Sequence, residues 1–154
     1  REASIPFEIV PGISSSIAAA AYAGIPVTHR KVATSFAVVA GHEDPLKDTS
    51  SVNWKSLATA VDTLVILMGV GNIQTIVAEL IVDGRDANTP AAAVSYGTTT
   101  KQQTITSTLV ALPKTIELAD IGAPAAIIIG EVVKLRAQLS WFVHDITPQL
   151  QNAE

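Results

Sequence analysis

Short runs of aliphatic and β-branched residues alternate along the chain with stretches in which apolar residues return every three or four positions. These are the periods of strands and helices, and their alternation predicts an α/β domain. The apolar runs predict strands at 7–10, 35–40, 63–68, 91–95, 103–108 and 125–130. Helical spacing predicts helices at 14–23, 54–60, 73–83 and 132–139, with a short turn of helix near 113–117. Gly97 and Thr98–Thr100 interrupt the runs at 91–95 and 103–108 without an intervening helix, so these two strands are expected to lie side by side and antiparallel. The expected sheet is mixed, mostly parallel, and flanked by helices.

Several boundaries have a physical cause. Ser14 or Ser15 can cap the alanine-rich helix after Pro11 and Gly12, and Gly24 suits the left-handed residue that ends it. Asn72 and Gly84 are placed to do the same for the helix at 73–83. Trp141 and Phe142, spaced after Leu135 and Leu139, look like core on a helix face. The polar stretch 41–53 is the longest loop candidate, and loops of that length tend to be functional or mobile. Apolar periodicity ends near Phe142, which predicts one domain over 1–142 and a frayed tail over 143–154.

Composition narrows the class. The chain has 154 residues, 48% of them hydrophobic and 16% charged, which excludes disorder and fits a single core. No apolar run approaches the roughly 20 residues of a membrane-spanning helix. Residues 1–6 contain no apolar signal-peptide core, so the expected location is the cytoplasm. A chain that opens on Arg1, in what reads as the tail of a helix, is expected to be a fragment. Without cysteine there is no disulfide framework and no thiolate nucleophile. Three scattered histidines, at 29, 42 and 144, make a metal site unexpected. A net charge of -4 argues against a broad nucleic-acid surface.

The candidate chemistry begins with three glycine turns, VPGISS at 10–15, LMGVGN at 67–72 and SYGTT at 95–99. Ligands of α/β folds bind at the carboxyl ends of strands, and glycine there lets backbone groups approach them. The alternative for each turn is plain punctuation between elements. None ends in the Gly-Lys-Ser/Thr of a phosphate loop. Thr28, His29, Arg30 and Lys31 form the densest basic run, able either to grip carboxylates or simply to be a solvated turn. His42 and Glu43 could pair as acid and base, or the histidine could merely complete a loop hydrogen bond. No Ser, His and Asp arrangement can be defended as a triad. The residues by themselves therefore imply a small-molecule cleft and no particular reaction.

Taken together, the strings VPGISS (10–15), AYAGIPVTHR (21–30), GHE (41–43), TLVILMGVGN (63–72), YGTT (96–99), IIIGEVVKLR (127–136) and LSWF (139–142) closely resemble the tetrapyrrole methylases, and among them the uroporphyrinogen III C-methyltransferases. The resemblance covers nearly the whole chain but only the carboxyl-terminal half of such enzymes. Their first α/β domain, with its GxGxGD loop, has no counterpart here. What the resemblance implies is a donor, S-adenosylmethionine, held between two domains, and methylation of two ring carbons of uroporphyrinogen III to give precorrin-2, without a metal. It assigns donor binding to Ser14, Ser15, Met68, Gly97, Pro124, Ala125 and Ala126, and substrate binding to His29, Arg30 and Leu67. Many relatives have Thr-Ala at 14–15, and Ser14 keeps the hydroxyl; position 67 is often aromatic in relatives, which weakens a stacking role for Leu67. The implied partners are a tetrapyrrole, the absent amino-terminal domain and a second copy in a homodimer. The alternatives are another corrin-precursor methyltransferase, or a non-catalytic dimerisation or binding module.

Overall fold

A computed structural model describes residues 2–41 and 52–142. The tail at 143–154 and most of the long loop, with His42 and Glu43, lie outside the described residues. Five strands form one sheet: β1 (Phe36–Ala40), β2 (Thr63–Leu67), β3 (Pro90–Ser95), β4 (Gln103–Thr108) and β5 (Ala125–Ile129). Their spatial order is β1-β2-β5-β3-β4. The helices are α1 (Ser15–Tyr22), α2 (Trp54–Ala60), α3 (Ile73–Val82), α4 (Leu112–Leu118) and α5 (Arg136–Leu139), with 3-10 turns at Val70–Asn72 and Glu131–Leu135. None of the described helices is long and apolar enough to cross a membrane.

The sheet is mixed, as its sequence implies, but the expectation of a mostly parallel sheet is overturned. Only β1 and β2 run parallel; the β2–β5, β3–β5 and β3–β4 pairs are antiparallel. The cause is the short route from β3 to β4. A tight turn reverses the chain into β4, which ends opposite Pro90 at the start of β3. The single helix α4 then carries the chain back, and β5 enters opposite Ser95, at the end of β3. It must therefore run against both its neighbours. In consequence the ends of β2 and β3 and the start of β5 share one edge of the sheet.

Side chains alternate between the faces of the three central strands, and each face is covered. On one side Leu64, Ile66, Ala91, Ala93, Ile127 and Ile129 pack against α2, α3 and α4. On the other, Val65, Ala92, Val94, Ala126 and Ile128 meet Ala19, Ala20 and Ala23 of α1 and the Val132–Val133 pair. The small side chains of α1 let its backbone come close to the sheet. Ser14 caps this helix through Ser16 N–H at 3.3 Å, and Gly24 leaves it with φ +71°.

Four local expectations need correction. Residues 7–10 form no strand: the described segment before α1 finds no neighbour to pair with and is exposed throughout. Asn72 does not cap α3, because its side-chain amide donates instead to the Gly41 carbonyl at 3.0 Å. The helix expected over 132–139 is divided into a 3-10 turn and the short α5. Trp141 is not core: it is 57% exposed, its indole N–H donating to Ala21 O at 3.0 Å and its ring resting 4.9 Å from that of Tyr22.

Candidate functional site

The shared edge of the sheet is where the sequence-predicted residues gather. β2 ends at Leu67, which pairs with Ala126, and β3 ends at Ser95, which pairs with Ala125. Just beyond these ends, Met68 and Tyr96 both take left-handed backbone conformations, with φ 56° and 45°. Such conformations cost a non-glycine residue roughly 1–3 kcal/mol and persist only where surrounding contacts enforce them. Both side chains project outward, Met68 62% and Tyr96 45% exposed. Between the two turns Pro124 leads into β5, and its carbonyl accepts from Tyr96 N–H at 3.0 Å. Leu67, Met68, Gly97, Pro124, Ala125 and Ala126 are thus brought together on one edge.

Glycine is required here by close approach. A Cβ on Gly41 would lie 2.6 Å from Gly69 Cα, where the turns that follow β1 and β2 meet, and Gly41 N–H donates to Leu67 O at 2.7 Å. A Cβ on Gly97 would lie 2.7 Å from the Cβ of Ala19. That contact seats the β3 turn on α1 one helical turn from Ser15, so exposed Ser14 and Ser15 begin beside the same edge. Exposed Pro124 and the half-buried Gly97 and Ala125 give the edge a surface of small side chains, whereas Ala126 is buried beneath α1.

His29 and Arg30 are placed differently. Their loop is a tight turn closed by paired His29 and Ala33 main-chain bonds at 2.9 Å, and both side chains are exposed. It enters β1 through Thr34 and Ser35, at the end of the sheet opposite Met68. Among the described residues Arg30 has no ion-pair partner.

Two displaced protonation equilibria also belong to that opposite end. The Asp62 carboxylate accepts from the Thr34 and Ser35 N–H groups at 2.8 and 3.0 Å and from both their hydroxyls. These donors, the Thr34 amide foremost, hold its pKa down to about 2. Burial lowers that of Arg85, whose guanidinium donates to Ala58 O, Val61 O, Asp62 O and Ile129 O. Both groups fasten loops and leave the chemistry to the other edge.

Two hollows, of about 410 and 520 Å³, lie away from this edge, along β4 and the Arg136 region. Sequence reasoning missed Tyr96 and Gln102. Tyr96 stood inside the YGTT string, but its left-handed backbone leaves no mark in composition. Gln102 carried no signal, being one polar residue ahead of a strand.

A family model described as Tetrapyrrole (Corrin/Porphyrin) Methylases matches residues 1–113. The chain belongs to the tetrapyrrole methylase family. It is 48% identical to the uroporphyrinogen-III C-methyltransferase of Bacillus subtilis over 148 residues, 96% of this chain and 57% of that protein. It is 49% identical to a siroheme synthase of Pseudomonas entomophila, covering 90% of this chain and 29% of that one. Among solved structures, the uroporphyrin-III C-methyl transferase of Thermus thermophilus complexed with S-adenyl homocysteine superposes with a TM-score of 0.71 at 34% identity, over 87% of this chain and 57% of that one. The chain therefore spans little more than half the length of these methyltransferases.

Proposed function

We propose that this chain is the carboxyl-terminal half of an S-adenosylmethionine-dependent uroporphyrinogen III C-methyltransferase, a cytoplasmic enzyme of sirohaem and cobalamin synthesis that yields precorrin-2. The observation that carries this reading is the meeting of Leu67–Met68, Tyr96–Gly97 and Pro124–Ala125 on one edge, where two glycine-bearing turns and a run of small residues adjoin. Such an edge suits a donor that is held chiefly by its amino-acid and nucleoside polar groups. The shared edge is one side of the cleft, and the region that precedes this chain's counterpart in longer relatives supplies the other. Five apolar side chains ahead of α1, Ile5, Phe7, Ile9, Val10 and Ile13, are 67–85% exposed, as expected of a segment built to be covered.

The reaction asks mainly for orientation. A ring carbon of the tetrapyrrole attacks the sulfonium methyl in line, the S–CH3 bond breaks as the C–CH3 bond forms, and S-adenosylhomocysteine leaves with the sulfur electron pair. Loss of a proton from the ring completes each substitution. Positioning two reactants in a near-attack geometry can supply about 7–11 kcal/mol of the barrier without a metal or a strong base. Met68 and Leu67 face the acceptor side of the edge in this reading, and Arg30, exposed at the opposite end of the sheet, grips a substrate carboxylate remote from the reacting carbon.

Calorimetric titration with S-adenosylhomocysteine tests the donor site. The parent enzyme is expected to bind with micromolar affinity, and this chain alone far more weakly. A folded parent enzyme that shows no binding refutes the reading. Equal affinity in the chain alone shows that the donor site is complete without the other half. The reading also includes a homodimer, which a monomeric mass by analytical ultracentrifugation would remove.

A further inference from the structure

The turn after β3 packs two left-handed non-glycine residues around Gly97: Tyr96 with φ 45° and Thr98 with φ 70°. A run of this kind relaxes unless something outside it holds its amides. Tyr96 N–H is held by Pro124 O, and Thr99 N–H and its hydroxyl both return to Tyr96 O at 3.2 and 2.7 Å. Thr98 N–H is satisfied from further away. It donates at 2.8 Å to the side-chain oxygen of Gln102.

Gln102 is itself 5% exposed, one of the few buried polar side chains of the described residues. Its amide nitrogen donates to Tyr22 O at 3.2 Å, in the last turn of α1. One side chain therefore ties the strained turn to the same helix whose Ala19 presses on Gly97. The two contacts act together: Ala19 sets how closely the turn approaches α1, and Gln102 fixes which way its amides point. Tyr22 is in turn braced by Trp141, whose ring packs at a tilt against its own and whose indole N–H donates to Ala21 O.

We propose that Gln102 is a positioning residue for the methyl donor, holding the Tyr96–Thr98 main chain in its binding shape from behind. This rests on the methyltransferase reading above. Gln102 is not offered as a donor contact: both its polar ends are already engaged within the chain. Its effect is to prepare the turn before the donor arrives, so its loss is felt as affinity and not as a changed reaction.

The test is made in the parent methyltransferase with two variants. Gln102→Met keeps the shape and removes the side-chain hydrogen bonds to Thr98, Tyr22 and Thr104; it is expected to weaken S-adenosylhomocysteine binding roughly tenfold, with the stoichiometry unchanged. The KM for S-adenosylmethionine rises in parallel, while that for the tetrapyrrole stays within about twofold. A residue with only a structural role would instead lower the competent fraction and leave Kd alone. Gln102→Glu keeps an acceptor for Thr98 but loses the donor to Tyr22, and is expected to bind about threefold more weakly; it decides the matter if Gln102→Met does not fold. A folded variant whose Kd stays within twofold of the wild type overturns the role of Gln102 and leaves the methyltransferase reading intact. A folded wild-type enzyme that fails to bind overturns both.

Discussion

Gly97 lies so close to Ala19 that a Cβ added to the glycine would sit 2.7 Å from the alanine's own. No backbone strain opposes the substitution there, since the glycine's φ is one that any residue can adopt. The obstacle is therefore the contact itself. Gly97→Ala should force the β3 turn off α1, with an overpacking cost of about 1–3 kcal/mol and weaker S-adenosylhomocysteine binding. Adding Ala19→Gly removes the opposing methyl and should restore much of the affinity. A double-mutant cycle read by calorimetry checks this, and strictly additive losses would show that the contact is not what seats the turn.

Arg85 predicts the opposite behaviour. Its guanidinium serves the carbonyls of Ala58 and Val61 at the end of α2, with Asp62 O and Ile129 O beside them. Arg85→Met leaves those carbonyls without their charged donor and should cost about 1.5–3 kcal/mol of unfolding free energy. The donor edge lies at the other end of the sheet, so the folded variant should bind S-adenosylhomocysteine as the wild type does. Denaturant melts and calorimetry on the same sample separate the two effects.

Arg30 carries the prediction for the acceptor. The substrate proposed for this enzyme has eight carboxylates, whereas the chain carries a net charge of -4. The Arg30 guanidinium is exposed, has no ion-pair partner among the described residues and stands at the end of the sheet away from Met68, so in this reading it grips a carboxylate remote from the reacting carbon. Arg30→Ala in the parent enzyme should raise the tetrapyrrole KM roughly tenfold and leave S-adenosylhomocysteine binding unchanged. Steady-state kinetics at saturating donor make the measurement, and an unaltered KM removes Arg30 from the acceptor site.

What was legible in the sequence follows from how local each cause is. The strand expected at 63–68 forms over 63–67, and the strand at 103–108 and the helix at 54–60 form where their own apolar periods place them. The Ser14 cap and the left-handed Gly24 and Gly84 are equally local choices. Strand direction is not local: β5 runs against its neighbours because α4 returns the chain to the far end of β3, and no residue in β5 records that. Residues 7–10 have a strand's composition but among the described residues no strand beside them, and composition alone does not make a ladder. At the site, the glycines announced the turns, but the strain at Met68 and Tyr96 and the reach of Gln102 to Thr98 come from tertiary placement. Asn72 shows the same limit, since Gly41 O competes with the helix for its side chain and wins.

Asp62 links β1 to β2 through protonation. Its carboxylate accepts four hydrogen bonds from Thr34 and Ser35, while its own N–H donates to the Ser35 hydroxyl at 3.0 Å. Folding lowers its pKa from 3.8 to about 2, so the folded state holds this proton less tightly than the unfolded chain does. Where the unfolded state binds more protons, stability rises with pH. The contribution is therefore fully present above about pH 4 and disappears as the pH falls through about 2. Because the carboxylate is exposed, salt and solvent reduce its size, but the direction stands. Asp62→Asn removes the titrating group, so the difference in midpoint between wild type and variant should be constant above pH 5 and shrink between pH 4 and 2. Urea melts across that range make the comparison, and a difference that does not change with pH would show that the Asp62 bonds hold the strands without preferring the ionised form.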